Sequence, residues 1–205
     1  MVRRIHTLSA LAACALTFAQ ASAFADVNTY DFSTVQGVVT PVTIGLATFS
    51  SPSDPGAFTF GPNAGLYTNL GAYVLSEAGF GGATLNIAFS APQTAVSFDF
   101  SLGDFFSSAS NGPDTLTVTP NVGSASTATA SLVGSDYYPE GTFTLTSATA
   151  FSSIAITSAG AYPITIADMT STSAAPVPEA DSYTMMLCGL GMIGAIARRK
   201  KRSAA

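Results

Sequence analysis

The 205-residue chain contains no tryptophan, one histidine, two cysteines and only 9% charged residues, against a usual charged share of about 25%. The scarcity is also positional. Arg3 and Arg4 stand at the start, and Arg198, Arg199, Lys200, Lys201 and Arg202 at the end; these are all seven bases. His6, Cys14 and Cys188 fall in the same terminal segments, so from Asp26 to Ala175 there is no Lys, Arg, His, Cys or Trp.

Each absence excludes a chemistry. Ten acids (Asp26, Asp31, Asp54, Glu77, Asp99, Asp104, Asp114, Asp136, Glu140 and Asp168) face no base in that stretch, so it cannot neutralise phosphates and is not a nucleic-acid binder. Disulfides, zinc fingers and iron–sulfur clusters lack their ligands. Salt bridges are impossible there, and a buried carboxylate must be held by backbone N–H groups, hydroxyls, a proton or a metal ion. A serine nucleophile would have neither His nor Lys as its base.

Two segments frame this base-free stretch. Residues 1–25 read as a cleavable signal peptide: Arg3 and Arg4 form the positive start, Leu8 to Phe18 the apolar run, and Ala21-Ser22-Ala23 and Ala23-Phe24-Ala25 two small-x-small cleavage sites, the second favoured. At the other end, residues 171–182 read as a linker carrying Val177-Pro178-Glu179, residues 183–197 as an apolar membrane helix beginning at Tyr183, and residues 198–205 as a basic cytoplasmic tail opening with Arg198, Arg199 and Lys200. That is a spacer, a membrane segment and a basic stop in the order that fixes orientation. The helix is short for a hydrocarbon core of about 30 Å; Tyr183 and snorkelling bases can make up part of the shortfall. Gly189, Gly191 and Gly194 lower its helix propensity, which suits a protease substrate.

With Val177-Pro178-Glu179, Ser182 to Leu187, Gly189-Leu190-Gly191 and the basic cluster Arg198 to Arg202 in register, the tail resembles the PEP-CTERM sorting signal of exopolysaccharide-producing Gram-negative bacteria. It departs in one place, Ala180 standing where a second proline is usual. The resemblance implies recognition by an exosortase, export, transient anchoring in the inner membrane, cleavage near the motif, and delivery to the cell surface or exopolysaccharide matrix. A plain C-terminal anchor is the competing reading, although an anchor needs no Pro-Glu element.

Residues 26–170 read as a β-sandwich ectodomain. Leu85, Ile87 and Phe89 alternate with polar or small neighbours, as do Val96, Phe98, Phe100 and Leu102, Leu116 and Val118, Phe143 and Leu145, Ile154 and Ile156, and Ile164 and Ile166. Period-2 alternation is the mark of half-buried strands. Earlier candidates are Thr29 to Thr34, Val38 to Ser50, Ala57 to Phe60 and Leu70 to Leu75. Pro, Gly, Asn and Asp clusters punctuate them. Ten or so strands with Thr and Ser outward predict an all-β fold of two packed antiparallel sheets, with Phe89, Phe98, Phe100, Phe105, Phe143 and Phe151 supplying the core. Ala95 to Phe100 and Ile164 to Thr170 resemble strands of the jelly-roll domains that precede PEP-CTERM tails, in which acids in the first strand region and the last strand are common; Asp31 and Asp168 occupy those places.

Three chemistries remain. Calcium is the cofactor the carboxylates could hold, through Asp31 and Asp168 if the first and last strands pair, or through the loop from Asp104 to Asp114 with Asn111; the competing reading of each acid is a solvated turn residue. Glycan binding could use the loop tyrosines Tyr67, Tyr73, Tyr137, Tyr138 and Tyr162, with Tyr137 and Tyr138 the expected exposed pair. A glycosidase pair from Asp99 with Asp104 or Glu77 is chemically possible, but no cation is present to orient a sugar. The expectation is a non-enzymatic surface or matrix component, with a carbohydrate-binding module, one that calcium could stabilise, as the alternative.

Overall fold

The computed structural model describes residues 25–52, 54–78, 82–103, 115–133, 138–159, 162–175 and 186–194. Residues Ala25–Ala174 form one compact unit, and the helix at 186–194 belongs to another.

Among its described residues the unit is all-β, with ten antiparallel strands: β1 (Val27–Thr29), β2 (Val42–Ile44), β3 (Ala47–Ser50), β4 (Phe58–Pro62), β5 (Tyr73–Glu77), β6 (Leu85–Leu102), β7 (Thr115–Pro120), β8 (Ser126–Thr129), β9 (Glu140–Ser158) and β10 (Ile164–Ser173). Two of them, β6 and β9, are 18 and 19 residues long, and they organise the rest. The first half of β6 pairs with β3 and with the second half of β9, which also carries β7 and then β8. The second half of β6 pairs with β10 and with the first half of β9, while β5 and β1 share the other edge of β10. The continuous ladder therefore folds over itself into two layers. Strands that pass between sheets at bulges are how such corners are made, and the β6–β9 register breaks between Ala88 and Ala95.

The alternation carries this bend in its phase. Buried positions on β6 are Leu85, Ile87 and Phe89, then Val96, Phe98 and Phe100; on β9 they are Phe143 and Leu145, then Phe151, Ile154 and Ile156. Odd positions point inward before the bend on β6 and even ones after it. A strand's side-chain period is 2, so one extra residue exchanges its faces. What read as two strands on each side of the bend is one strand that changes layer.

Aromatic rings fill the space between the layers. Phe49 of β3 meets Phe60 of β4 edge-on at 5.6 Å, and Phe32 meets both, at 5.6 and 5.2 Å. Phe98 stacks on Phe143 at 5.2 Å. Gly141 is required by this packing: a Cβ there would lie 2.9 Å from the Phe100 ring and 3.1 Å from the Thr129 carbonyl oxygen. Phe105 lies outside the described residues.

Several local expectations change, beginning with Val38 to Ser50, which is two strands, β2 and β3, rather than one. Thr29 to Thr34 is not one strand: β1 ends at Thr29, and Phe32–Val35 forms a 3-10 turn because the Asp31 carboxylate caps it, accepting from the Ser33 N–H at 2.9 Å. Strand β8, with only Ala128 between its Ser and Thr residues, has no apolar alternation to announce it. Strand β10 continues to Ser173, three residues beyond the expected end at 170.

The fold-over defines two poles. At one, β6 and β9 turn over, and the ends of the unit meet: Ser173 N–H donates to Asp26 O and Ala174 N–H to Pro92 O, both at 2.8 Å. At the other lie both ends of each long strand. There Gly103 N–H donates to Pro163 O at 2.8 Å, and Ala159 N–H to Thr115 O at 2.9 Å.

Candidate functional site

Strand pairing places Ser76 beside Thr165, Thr165 beside Ser101, and Ser101 beside Glu140. This polar row crosses the outer face of the layer built on β5, β10, β6 and β9, near the pole where the long strands end. Glu140 is only 4% exposed and no base stands between Asp26 and Ala175 to pair with it; its carboxylate is held by backbone: Thr68 N–H donates to Oε1 at 2.7 Å and Asn69 N–H to Oε2 at 2.8 Å. Those bonds hold the segment before β5 against the sheet. Asn63 ties the same segment from inside, its Oδ1 accepting from the Tyr67 N–H at 3.0 Å and its Nδ2 donating to the Tyr67, Leu70 and Gly71 carbonyls at 3.1 Å. Leu70, Val74 and Ala167 pack beneath it with Tyr67 in a small cluster apart from the main core.

The tyrosines follow from this scaffold. Tyr67 and Thr165 share a hydroxyl–hydroxyl bond of 3.0 Å, and the Tyr67 ring meets the Tyr138 ring at 5.2 Å with a 59° tilt. Burial, then the neighbouring Tyr67, pushes the Tyr138 phenol above its ordinary value. Tyr137 lies outside the described residues; the neighbour that Tyr138 meets is Tyr67, 71 positions away in sequence, which nothing local distinguishes from the other loop tyrosines. One register step along the same face, Asp99 Oδ1 accepts from the Thr142 hydroxyl at 2.6 Å.

Asp31 and Asp168 line one cavity of about 400 Å³, together with Thr29, Tyr73 and Thr170. Strands β1 and β10 pair from Val27–Thr172 to Thr29–Thr170, and Tyr30 N–H donates to Met169 O at 3.1 Å. Between Ala167 and Thr170 the β10 register slips, and Asp168 takes the left-handed φ of +48°, which Asp tolerates better than most residues. Gly71 leaves room for the displaced side chain: a Cβ there would stand 2.5 Å from Asp168 Oδ1 and 2.6 Å from Oδ2. Hydrogen bonds from the Ser33 side chain and backbone hold Asp31 below the usual carboxylate range. The donors are oxygens, which suit a hard cation such as calcium, and the Gly71 cradle accommodates the carboxylate. Among the described residues no group of three or more His, Cys, Asp or Glu converges, so two carboxylates would be the anionic complement. Asp104, Asn111 and Asp114 lie outside the described residues.

Glu77 is committed to structure. Its Oε1 accepts from Ala83 N–H at 2.8 Å and its Oε2 from Ile164 N–H at 3.1 Å. Burial, more than those bonds offset, raises its pKa, with nearby Asp54 contributing. A carboxylate with both oxygens engaged by backbone is poorly placed to serve as one half of a glycosidase pair.

The geometry defines an antiparallel β-sandwich carrying an aromatic pair on one outer face and a two-carboxylate cavity beside it. Residues 176–202 match the PEP-CTERM protein-sorting motif, so the chain carries a sorting signal behind the sandwich. No curated protein matches in sequence. Among solved structures, the chain is similar to the cleaved adhesin domain of Lys-gingipain, with 14% identity over 72% of this chain and 98% of that one and a TM-score of 0.48. It is similar to a family 29 carbohydrate-binding module complexed with cellulohexaose, with 12% identity over 73% and 92% and a TM-score of 0.36. The catalytic domain of a GH87 α-1,3-glucanase in complex with tetrasaccharides shares 13% identity over 71% of this chain and 30% of its own, with a TM-score of 0.36.

Residues Val177, Pro178, Glu179, Tyr183, Arg198, Arg199 and Lys200 lie outside the described residues, whereas Gly189 and Gly191 fall in the helix at 186–194. Leu187, Met192 and Ile193 are exposed on that helix at 66%, 65% and 58%. No described helix is long and apolar enough to cross a membrane.

Proposed function

We propose that this chain is an exported, non-enzymatic surface protein, made with a signal peptide at residues 1–25 and held in the inner membrane through residues 183–197. An exosortase recognises the tail around Val177-Pro178-Glu179, and the sandwich passes to the cell surface or exopolysaccharide matrix as a structural or interaction component. The observation that carries this reading is the sorting motif at residues 176–202, which begins two residues after Ala174, whose N–H is still bonded to the sandwich. Cleavage in the motif would leave every strand intact. Intact-mass measurement of the surface form tests it. The expected product begins at Asp26 and ends between Ala175 and Tyr183; recovery with Arg198 to Ala205 attached overturns it.

A second reading, a carbohydrate-binding module, is favoured by the Tyr67–Tyr138 pair on a braced segment. Calcium at Asp31 and Asp168 would stabilise such a module by binding the folded state alone. With two carboxylates the affinity falls in the weak, extracellular class, about 0.1–1 mM. Adding 10 mM calcium after EDTA treatment is expected to raise the melting temperature by several degrees, about 1.4–2.7 kcal/mol by mass action, and Asp168→Asn to abolish the rise. An identical melting temperature with calcium and with EDTA removes the metal from the reading.

A further inference from the structure

The chain enters and leaves the sandwich at the fold-over pole, where Ser173 N–H meets Asp26 O. Tyr67 and Tyr138 are attached near the opposite pole, through Thr165 at the start of β10 and Glu140 at the start of β9. The tyrosine pair therefore lies at the end of the sandwich opposite its own two chain ends.

The Tyr67–Tyr138 pair is built rather than incidental. Tyr67 is fixed at its backbone by Asn63, at its hydroxyl by Thr165, and through the following two residues by buried Glu140. Segment ordering is thus complete before any ligand arrives, which removes part of the entropic cost of binding. Two half-buried rings tilted by 59° do not make one flat plate. They suit successive residues of a twisting chain, each offering an apolar sugar face to one ring. Asp99 and Thr142 on the same face add hydroxyl-binding oxygens.

Charge selects among polymers. From Asp26 to Ala175 ten acids stand against no base, so an acidic chain is repelled at every approach and no guanidinium or ammonium exists to pair its carboxylates. A neutral sugar chain meets no such penalty, and its hydroxyls can donate to carboxylate and tyrosine oxygens. We infer that the Tyr67–Tyr138 face is a binding site for a neutral polysaccharide chain. The inference rests on the carbohydrate-binding reading and specifies its site and ligand class.

Affinity electrophoresis of the released surface form, through gels containing dextran, mixed-linkage β-glucan, hydroxyethyl cellulose or alginate, tests it. Retardation by at least one neutral polymer and none by alginate is expected. Tyr138→Ala and Tyr67→Ala should each weaken retardation about tenfold, the equivalent of roughly 1.4 kcal/mol, and Tyr67→Phe, which keeps the ring, should stay within about threefold. Melting curves of each variant confirm that the fold persists; should Tyr67→Ala unfold, Tyr138→Ala and Tyr67→Phe decide. Neutral-polymer retardation undiminished in Tyr138→Ala overturns the site and leaves the carbohydrate-binding reading standing. Retardation by alginate alone overturns the ligand class, and migration unaffected by all four polymers overturns both.

Discussion

Glu140→Ala is expected to destabilise the sandwich by about 2–4 kcal/mol, lowering its melting temperature by roughly 5–15 °C. The side chain is 4% exposed and accepts two backbone N–H groups, from Thr68 and Asn69. Hydrogen bonds to a charged acceptor contribute about 1.5–3 kcal/mol each, and alanine leaves both donors beneath the segment without an acceptor. Relief from holding a carboxylate out of water offsets part of that loss. The backbone of Glu140 is also paired, its N–H donating to Ser131 O at 2.8 Å and its O accepting from Ser131 N–H at 2.9 Å; those bonds survive the substitution, so the strand persists. Glu140→Gln is the informative companion. Its carbonyl accepts one N–H, but its amide nitrogen faces the second donor, and it should fall between alanine and the native protein. Chemical denaturation of all three, with unchanged m-values, checks the ranking. Equal stability of alanine and native protein would mean that Thr68 and Asn69 find water as readily as carboxylate.

The second large effect is resistance to acid. Proteins commonly unfold at low pH because carboxylates lose their partners while Lys, Arg and His keep an unopposed positive charge. Between Asp26 and Ala175 there are ten acids and no such bases, so acidification removes repulsion without leaving an unopposed positive charge. What it costs is the loss of charged acceptors such as Glu140, which holds the Thr68 and Asn69 N–H groups. Glu77 adds to the gain: its folded-state pKa is raised by burial, so its contribution is fully present below the ordinary Glu value and is lost as pH rises through the raised one. Asp31 acts oppositely, its pKa being lowered by Ser33; its contribution is present above the ordinary Asp value and disappears as pH falls through the lowered one. The melting temperature of the released domain should therefore rise from pH 7 to about pH 4.5, then decline gently, with the fold retained near pH 2.5. Solubility should fall over the same range, because net charge approaches zero. A melting temperature that drops steadily from pH 7 downward contradicts this account.

Much of the architecture was legible because strands alternate with a period of 2. The inward residues of β6, β7, β9 and β10 are those the alternation singles out, and the phase change between Phe89 and Val96 even marks the bend, although in linear form it reads as a gap between two strands. Strand β8 was not legible, since Ser126 to Thr129 has a single apolar residue, Ala128, too few to alternate, and is held by pairing with β7. The 3-10 turn after Asp31 replaced a strand because a local Asx cap outcompeted extension.

The candidate sites divide in the same way. Asp31 and Asp168 were identifiable as acids of the first and last strand regions, and the β1–β10 pairing puts them on one cavity. The role of Gly71 had no sequence signal, because it depends on where Asp168 lands after a register slip. Tyr138 was singled out by its place beside Pro139; its neighbour Tyr67 stood undistinguished among the loop tyrosines.

The amino-acid sequence alone determined the partition of charge, the sorting motif and the all-β pattern. Each is written in composition or in residues a few positions apart. Only the tertiary structure decided that β6 and β9 each build two layers, that the ends of the sandwich meet at one pole, and that Tyr67 finds Tyr138. Those outcomes depend on register between residues distant in sequence, such as Thr68 and Glu140, 72 positions apart, or Tyr67 and Thr165, 98 apart. Local propensity does not specify such meetings; they arise only when the whole ladder closes around one aromatic core.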